Sequence, residues 1–264
     1  MTELVRSRLG RWPAFLTLAV IILGLGYLSM RQCWPLGSVC LSPKVKETNS
    51  AVADADWAKK LSRGGYILHI RHAQRDKWAN VAGFDVIERI TTPDMEKASF
   101  RAATCLSNQG VEEAKLIGTA FRLADVNIGR VYSSPSCRAK QTAMLAFGRI
   151  DETDVSLMQR TTVNASQHKL FGKQLRSLID SITVKPDSNV ILSGHGATLD
   201  VDRALVVDVN ETGKDLDARE ETGIVVLEKV GGHVIARHTF RSITSYIINA
   251  PALAVPFKRA ASAE

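Results

Sequence analysis

The sequence predicts an α/β domain of three layers, in which helices flank a mainly parallel central sheet. From about residue 64 onward, short apolar runs alternate with stretches of helical periodicity, and this alternation is typical of parallel strands joined by crossover helices. Polar and ionisable residues directly follow three of the apolar runs. Near the C-terminus, Gly231 and Gly232 separate two further runs and predict an antiparallel hairpin at one edge of the sheet.

The individual elements can be placed in chain order. Gly64 and Gly65 precede the first predicted strand, 66–70, and apolar residues at helical spacing behind Gly110 predict a helix over 111–123. The remaining predicted elements are a strand at 130–133, helices at 138–147 and 168–182, a strand at 189–193, and hairpin strands at 224–230 and 233–240. From residue 242 onward the pattern predicts no defined element, although the chain is apolar enough to pack.

An uncharged apolar segment, 12–30, precedes the domain and has about the length of a membrane-spanning helix. Arg6, Arg8 and Arg11 lie before it and outnumber the basic residues close behind it, so we expect the N-terminus in the cytoplasm. A cleaved signal peptide is the alternative, but no A-x-A pattern follows Met30.

These observations predict a single-pass protein of the inner (plasma) membrane with its main domain on the periplasmic side. The predicted parts are a cytoplasmic basic segment 1–11, a transmembrane anchor 12–30, a tether 31–58 and a domain 59–264. The tether is predicted because this stretch has little apolar periodicity and contains Pro35, Gly37 and Pro43.

The charge and the cysteines limit the class of protein. The formal net charge of +7 is spread along the chain without a basic run, so nucleic-acid binding is not expected. No C-x-x-C pair or His/Cys cluster indicates a structural metal site. In an oxidising compartment Cys33 and Cys40 could close a small loop, and Cys105 and Cys137 could pair or remain free thiols.

Three segments, 71–75, 133–143 and 193–196, carry the polar groups that follow predicted strands. The carboxyl ends of parallel strands form the ligand-binding edge of an open α/β sheet, so we expect the three segments to converge on one pocket. A phosphoryl group in transfer carries negative charge on its equatorial oxygens, and fixed cations stabilise that charge.

The side chains in these segments are suited to such an anion. Arg71, Arg75 and Arg138 supply planar cations that form paired hydrogen bonds to phosphate. His72 lies between two arginines, which disfavour its charged form and leave a neutral ring nitrogen to attack phosphorus. His195 is expected to hydrogen-bond the phosphoryl group from the opposite segment.

Taken in this order, the segments resemble the histidine phosphatase superfamily, the fold shared with cofactor-dependent phosphoglycerate mutase. The resemblance extends over about 64–240 and includes the turn Leu106-Ser107-Asn108-Gln109-Gly110. It implies that His72 is the phosphorylated nucleophile, that His195 and Arg71 are catalytic with it, and that no metal or other cofactor takes part. The implied phosphate pocket consists of Arg71, Arg75, Arg138 and His195.

The segment after His195 is similar to the mutase-like branch, because Gly196 stands where the other branch has Asp. In that branch a Glu in a Leu-x-Glu-Arg segment commonly donates the proton to the leaving group, and the corresponding residue here is Gln159. Other carboxylates could replace it: Asp85, Glu88 and Asp94 after His72, and Asp151, Glu152 and Asp154 before Gln159. Alternatively, the substrate has a leaving group that needs little acid, such as a phosphohistidine, a pyrophosphate or a sugar 1-phosphate.

A narrower resemblance is to bacterial phosphatases of lipopolysaccharide core heptose phosphate. It rests on the predicted anchor, on Arg-His-Ala-x-Arg, on Cys105-Leu106-Ser107 and on Gln159, and it implies a periplasmic phosphosugar substrate. The prediction is a phosphatase of a phosphorylated small molecule or sugar that forms phosphohistidine. Two alternatives stay open: a protein that binds a phosphorylated ligand without turnover, and a phosphohistidine phosphatase tethered to the cytoplasmic face of the membrane.

Overall fold

A mixed sheet organises the domain in the computed structural model, which describes residues 49–76, 104–158, 165–199, 206–210 and 220–250. Its strands are β1 (Ile67–Arg71), β2 (Ile128–Ser133), β3 (Glu152–Thr153), β4 (Asn189–Gly194), β5 (Val209–Asn210), β6 (Ile224–Val230) and β7 (His233–Phe240). Within the described residues they form one seven-stranded sheet in the order β3-β2-β4-β1-β6-β7-β5. The chain crosses over between β1 and β4, as parallel neighbours require.

The first four strands pair in parallel, β3 with β2, β2 with β4 and β4 with β1. The hairpin of β6 and β7 is confirmed with its predicted bounds, and β6 pairs antiparallel to β1. Gly231 and Gly232 adopt φ values of 58° and 85°, which favour glycine in a two-residue turn. One expectation is corrected: the hairpin is not the edge of the sheet, because β5 pairs in parallel with β7 outside it.

Helices cover both faces of this sheet, so the three-layer architecture is confirmed. The helices are α1 (Asn49–Leu61), α2 (Asn108–Leu123), α3 (Cys137–Phe147), α4 (Ala165–Ser181) and α5 (Ile243–Asn249). Leu68 and Ile70 of β1 pack in one core cluster with residues of α1, α2, α3 and α5. Ile67, on the opposite face of the same strand, packs in a second cluster with residues of α4.

Two serines set the starts of the helices that carry site residues. The hydroxyl of Ser107 accepts a hydrogen bond from the amide of Gly110 and caps α2, which therefore begins earlier than the predicted residue 111. Ser136 caps α3 in the same way by accepting from the amide of Ala139. Both caps lie at the carboxyl edge of the sheet, next to the ends of β1 and β2.

The first helix, α1, begins inside the segment predicted as a tether and packs onto the domain. Ala58 and Leu61 are buried in the core beside the sheet. Asp54 accepts a hydrogen bond from the ring of His238 on β7 over 2.7 Å, which ties the helix to the hairpin. Within the described residues, this helix begins at residue 49, about 2.5 turns before the predicted end of the tether at 58.

Several predictions fall on residues that the structure does not describe. The cytoplasmic segment 1–11, the anchor 12–30, and Cys33 and Cys40 all lie before residue 49. Among the residues that are described, no helix combines the length and the hydropathy needed to cross a membrane.

Candidate active site

The pairing of β1 with β4 brings two distant histidines side by side. Arg71 and Gly194 are partners in the parallel register, so the residues that follow them, His72 and His195, leave adjacent strands at the same level. The amide of His72 donates to the carbonyl of Gly194 over 3.0 Å and holds the two chain segments together. The two imidazole ring centroids lie 5.2 Å apart, with an angle of 66° between the planes.

The third segment approaches from the other side of β4. Ser133 of β2 is paired with Ser193 of β4, and the amide of Ser134 donates to the carbonyl of Ser193 over 2.8 Å. The chain then turns into α3, whose first turn contains Arg138. Arg138 is fully buried, and its Nη2 donates to Nδ1 of His195 over 3.3 Å. The three segments predicted to converge are therefore brought together at one end of the sheet.

The hydrogen bonds of His72 determine which ring nitrogen can react. Its Nδ1 lies 2.8 Å from the carbonyl oxygen of Ala73. A carbonyl oxygen can only accept, so Nδ1 carries a hydrogen, and in the neutral ring Nε2 has the lone pair. Nε2 is therefore the nucleophilic atom of this side chain.

The surroundings of His72 keep that ring neutral. The side chain is buried, and burial lowers the pKa of His72 well below its usual value. The positive charge of Arg138 lowers this pKa further, with smaller contributions from Arg71 and Arg75, whereas the hydrogen bond to Ala73 acts in the opposite direction. A neutral imidazole at ordinary pH is the form that attacks phosphorus.

His195 has the opposite tautomer. Because a guanidinium group only donates, the bond from Arg138 requires an unprotonated Nδ1, and the hydrogen of the neutral ring lies on Nε2. That Nε2 lies 3.3 Å from the hydroxyl of Ser134 and 3.2 Å from the hydroxyl of Ser136, which share its hydrogen. Burial lowers the pKa of His195 well below its usual value, and the charge of Arg138 is the next largest cause.

The segment that carries His72 and Arg75 is held in place by α2 and α3. The amide of Ala73 donates to the hydroxyl of Thr142 over 3.0 Å, and the amide of Gln74 donates to the carboxylate of Glu113 over 3.0 Å. Gly110 allows this contact, since a Cβ there would lie 1.9 Å from the carbonyl oxygen of Gln74. Two helices thus hold the backbone on which the nucleophile lies.

A comparison with known families supports the same assignment. Residues 67–162 match the model of the histidine phosphatase superfamily, branch 1. The matched segment contains Arg71, His72, Arg75 and Arg138, whereas His195 lies beyond it and joins them through the fold. Over residues 67–162 the chain is similar to this superfamily. The prediction of a phosphatase is confirmed at this level.

Several solved structures of phosphatases have a similar fold. The protein histidine phosphatase SixA complexed with tungstate has a TM-score of 0.45 at 16% identity, over 68% of this chain and 97% of that one. A mutant phosphoserine phosphatase from Entamoeba histolytica with phosphoserine has a TM-score of 0.44 at 13% identity, over 68% and 98%. A mycobacterial glucosyl-3-phosphoglycerate phosphatase has a TM-score of 0.45 at 14% identity, over 67% and 98%. No curated protein matches the chain.

Among the carboxylates proposed as the proton donor, the structure describes Asp151, Glu152 and Asp154. Glu152 lies on β3 and forms an ion pair with Arg130 over 3.2 Å, with about half of its side chain exposed. β3 is three strands away from β1, roughly 14 Å at the usual spacing of about 4.8 Å between strands. The structure therefore does not bring Glu152 to His72, which corrects that expectation.

The two acids beside Glu152 have structural contacts. Asp151 accepts from the amide of Val131, and Asp154 caps a short 3₁₀ helix by accepting from the amide of Ser156. The other proposed donors, Asp85, Glu88 and Asp94, lie outside the described residues, as does Gln159. The general acid thus stays a prediction.

Sequence reasoning missed several residues of the site. Ser134 and Ser136 lie in the predicted segment 133–143, but no role was predicted for them, although both contact His195. A hydroxyl residue directly before a helix is a cap signal, and this signal could have drawn attention to Ser136. Cys105 and Cys137, left open as a pair or free thiols, form a disulfide next to Arg138.

Proposed function

We propose that this phosphatase hydrolyses a phosphorylated small molecule through a phosphohistidine at Nε2 of His72, without a metal ion. The observation that carries the proposal is the bond from Nδ1 of His72 to the carbonyl of Ala73, which leaves the lone pair on Nε2. A phosphosugar is the substrate that we favour, on the narrower resemblance of the sequence. The cationic side chains around His72 supply the charge that a phosphoryl group requires.

In the first step, Nε2 of His72 attacks phosphorus and the bond from phosphorus to the ester oxygen breaks. The guanidinium groups of Arg71, Arg75 and Arg138 stabilise the negative charge on the three equatorial oxygens. The ring centroid of His195 lies 5.2 Å from that of His72, and its Nδ1 holds the guanidinium of Arg138 in place beside this charge. The ester oxygen leaves with the bonding electrons and takes a proton from an acid or from water.

In the second step, water attacks the phosphorus of the phosphohistidine and the phosphorus–nitrogen bond breaks. The electron pair returns to Nε2, the water releases a proton to the solvent, and inorganic phosphate leaves. The hydrogen of His72 stays on Nδ1 and is donated to the Ala73 carbonyl throughout, so the nucleophile is regenerated in its reactive tautomer.

The proposal is tested with the full-length chain in detergent and p-nitrophenyl phosphate, with EDTA present. We expect turnover, and we expect His72→Ala to reduce it on the order of 10³-fold or more because the covalent route is removed. The phosphoenzyme trapped by rapid quenching should be labile in acid and stable in base, as a phosphoramidate is. His233→Ala is the matched control, because that side chain is 65% exposed on the hairpin.

The outcomes separate the proposal from the alternatives. Binding of inorganic phosphate without turnover of any compound in a panel of phosphosugars, nucleotides and phosphohistidine would indicate a binding protein. Loss of activity in EDTA that zinc or magnesium restores would contradict the metal-free route. Preference for phosphohistidine over phosphosugars would favour the protein-directed alternative.

We also propose that the domain lies on the periplasmic side of the membrane. The basic residues before 12–30 support this orientation through the positive-inside rule. The disulfide between Cys105 and Cys137 supports it independently, because disulfides persist in oxidising compartments and are rare in the cytosol. A periplasmic enzyme reporter fused after Glu264 should be active, and a fluorescent reporter that matures only in the cytoplasm should be dark; the reverse pattern would overturn this localisation.

A further inference from the structure

We infer that the disulfide between Cys105 and Cys137 is a positioning element of the phosphate pocket, which holds the backbone of Thr104 against the guanidinium of Arg138. The inference rests on the proposed function, since it concerns how the same pocket binds phosphate. The disulfide joins cysteines 32 residues apart in sequence. Both cysteines are buried, and each is covalently next to a residue that contacts the other segment.

Arg138 is held by contacts from two directions. Its Nη2 donates to Nδ1 of His195 over 3.3 Å, and its Nη1 donates to the carbonyl of Thr104 over 3.4 Å. One contact on each terminal nitrogen fixes the plane of the guanidinium group, and a fixed plane is what paired hydrogen bonds to a phosphate require. The carbonyl of Thr104 therefore helps to orient the cation that is closest to His195.

The disulfide is a covalent link between the residue that follows Thr104 and the first turn of α3. The bond from Arg138 to Thr104 is long, and hydrogen bonds of this length are weak. The amide of Leu106 donates to the side chain of Gln141 on α3 over 2.8 Å, but this bond holds the chain one residue beyond the cysteine. Without the disulfide this covalent link is lost, whereas the hydrogen bonds at Thr104 and Leu106 can remain.

The arrangement also places three consecutive residues in separate roles at the start of α3. Ser136 contacts Nε2 of His195, Cys137 forms the disulfide, and Arg138 contacts Nδ1 of His195. A movement of the first turn of α3 would therefore change the contacts of Ser136 and Arg138 with His195 together. Opening the disulfide should weaken phosphate binding before it unfolds the domain.

The test compares the wild-type chain in detergent with the double variant Cys105→Ala/Cys137→Ala. The readouts are the inhibition constant of inorganic phosphate, KM and kcat for p-nitrophenyl phosphate, and the melting temperature. The constants are measured at a temperature well below the melting transition. We expect the inhibition constant and KM to rise about tenfold, which is the effect expected from losing one charge-assisted contact. A dithiol reductant should shift the inhibition constant and KM of the wild type toward those of the variant, and it should leave the constants of the variant unchanged. Reoxidation should restore the wild-type constants.

A second measurement uses the native chain and does not depend on the folding of the variant. If the disulfide strengthens phosphate binding, saturating inorganic phosphate must stabilise the disulfide against a dithiol reductant by the same factor. We expect about tenfold more reductant to be needed for half-reduction, measured by thiol labelling of Cys105 and Cys137. Unchanged inhibition constants within about twofold, or a reduction midpoint that phosphate does not move, would overturn the inference.

These outcomes are distinct from a failure of the proposed function. An oxidised wild-type chain that neither binds inorganic phosphate nor hydrolyses p-nitrophenyl phosphate would contradict the function itself. An active oxidised chain whose constants do not respond to the disulfide would contradict only the positioning role. A lower melting temperature with unchanged KM and inhibition constant would show a purely structural disulfide and would also overturn the inference.

Discussion

Arg138 donates a hydrogen bond to Nδ1 of His195 over 3.3 Å, although the two residues are 57 positions apart in the chain. The contact joins the first turn of α3 to the end of β4 and sets the tautomer of the histidine. It also places a buried cation beside the imidazole of His195, whose ring centroid lies 5.2 Å from that of His72. The pair therefore connects the proposed phosphate pocket to the second histidine.

Arg138→Lys should test the geometry of this cation separately from its charge. A lysine keeps the positive charge but has a single nitrogen and cannot form paired bonds to phosphate. We expect kcat/KM for p-nitrophenyl phosphate to fall about 10²-fold, equivalent to about 2.7 kcal/mol of lost transition-state stabilisation. Arg130→Lys is the control, because this arginine is about half exposed and pairs with Glu152; equal effects of the two variants would contradict the role of Arg138.

Ser136→Ala should affect stability and activity together. Ser136 caps α3 and also contacts Nε2 of His195 over 3.2 Å. Loss of the cap should lower the free energy of unfolding by about 1 kcal/mol, and loss of the contact should lower kcat/KM by about tenfold. Ser242→Ala removes the cap of α5 by the same chemistry, on a helix that carries no residue of the proposed phosphate pocket, so it should reduce stability and lower kcat/KM less than Ser136→Ala does.

Gly110→Ala should disturb the segment that carries the nucleophile. The added Cβ would lie 1.9 Å from the carbonyl oxygen of Gln74, so the backbone beside Arg75 must move. We expect KM for p-nitrophenyl phosphate to rise several-fold, because Arg75 belongs to the proposed phosphate pocket. Gly118→Ala makes a similar clash with Ala146 where α2 packs on α3, and it should lower the melting temperature while the folded protein keeps its KM.

Acidification should destabilise the protein through its two buried imidazoles. The pKa values of His72 and His195 lie well below 6.5 in the folded state, mainly because of burial, whereas an unfolded histidine titrates near 6.5. The unfolded state therefore binds more protons below pH 6.5, so the stabilising contribution is complete above this pH and is lost as the pH falls toward the folded pKa values.

The expected slope can be measured directly. Each of these histidines should reduce the free energy of unfolding by up to about 1.4 kcal/mol for each pH unit below 6.5. Urea unfolding of the full-length chain in detergent at pH 7.5, 6.5 and 5.5 gives this slope, and His195→Gln should make it shallower. A slope that the substitution leaves unchanged would mean that another group accounts for the acid sensitivity.

The sequence was sufficient to predict most of the elements that form the site. Strands β1, β2 and β4 lie within two residues of their predicted bounds, because each apolar run ends at a polar segment. Helices α1 and α5 were not predicted, since each buries few side chains, such as Leu61 and Tyr246. Their helical faces become apparent only when the sheet against which they pack is present.

The position of Glu152 could not be inferred from its place in the chain. It comes only a few residues after α3, but its strand lies at the edge of the sheet beyond β2. The order of strands in the sheet differs from their order in sequence, so closeness along the chain does not predict closeness to His72. The expectation for Glu152 was incorrect for this reason.

By itself, the sequence determined which chemical groups are present and that each follows a strand: two imidazoles and three guanidinium groups at His72, His195, Arg71, Arg75 and Arg138. Only the tertiary structure decided which atoms meet, because the register of Arg71 against Gly194, the tautomers of the two histidines and the pairing of the cysteines depend on contacts between distant segments. Local patterns reflect the burial and periodicity of one segment, whereas the geometry of a pocket depends on how several segments pack together.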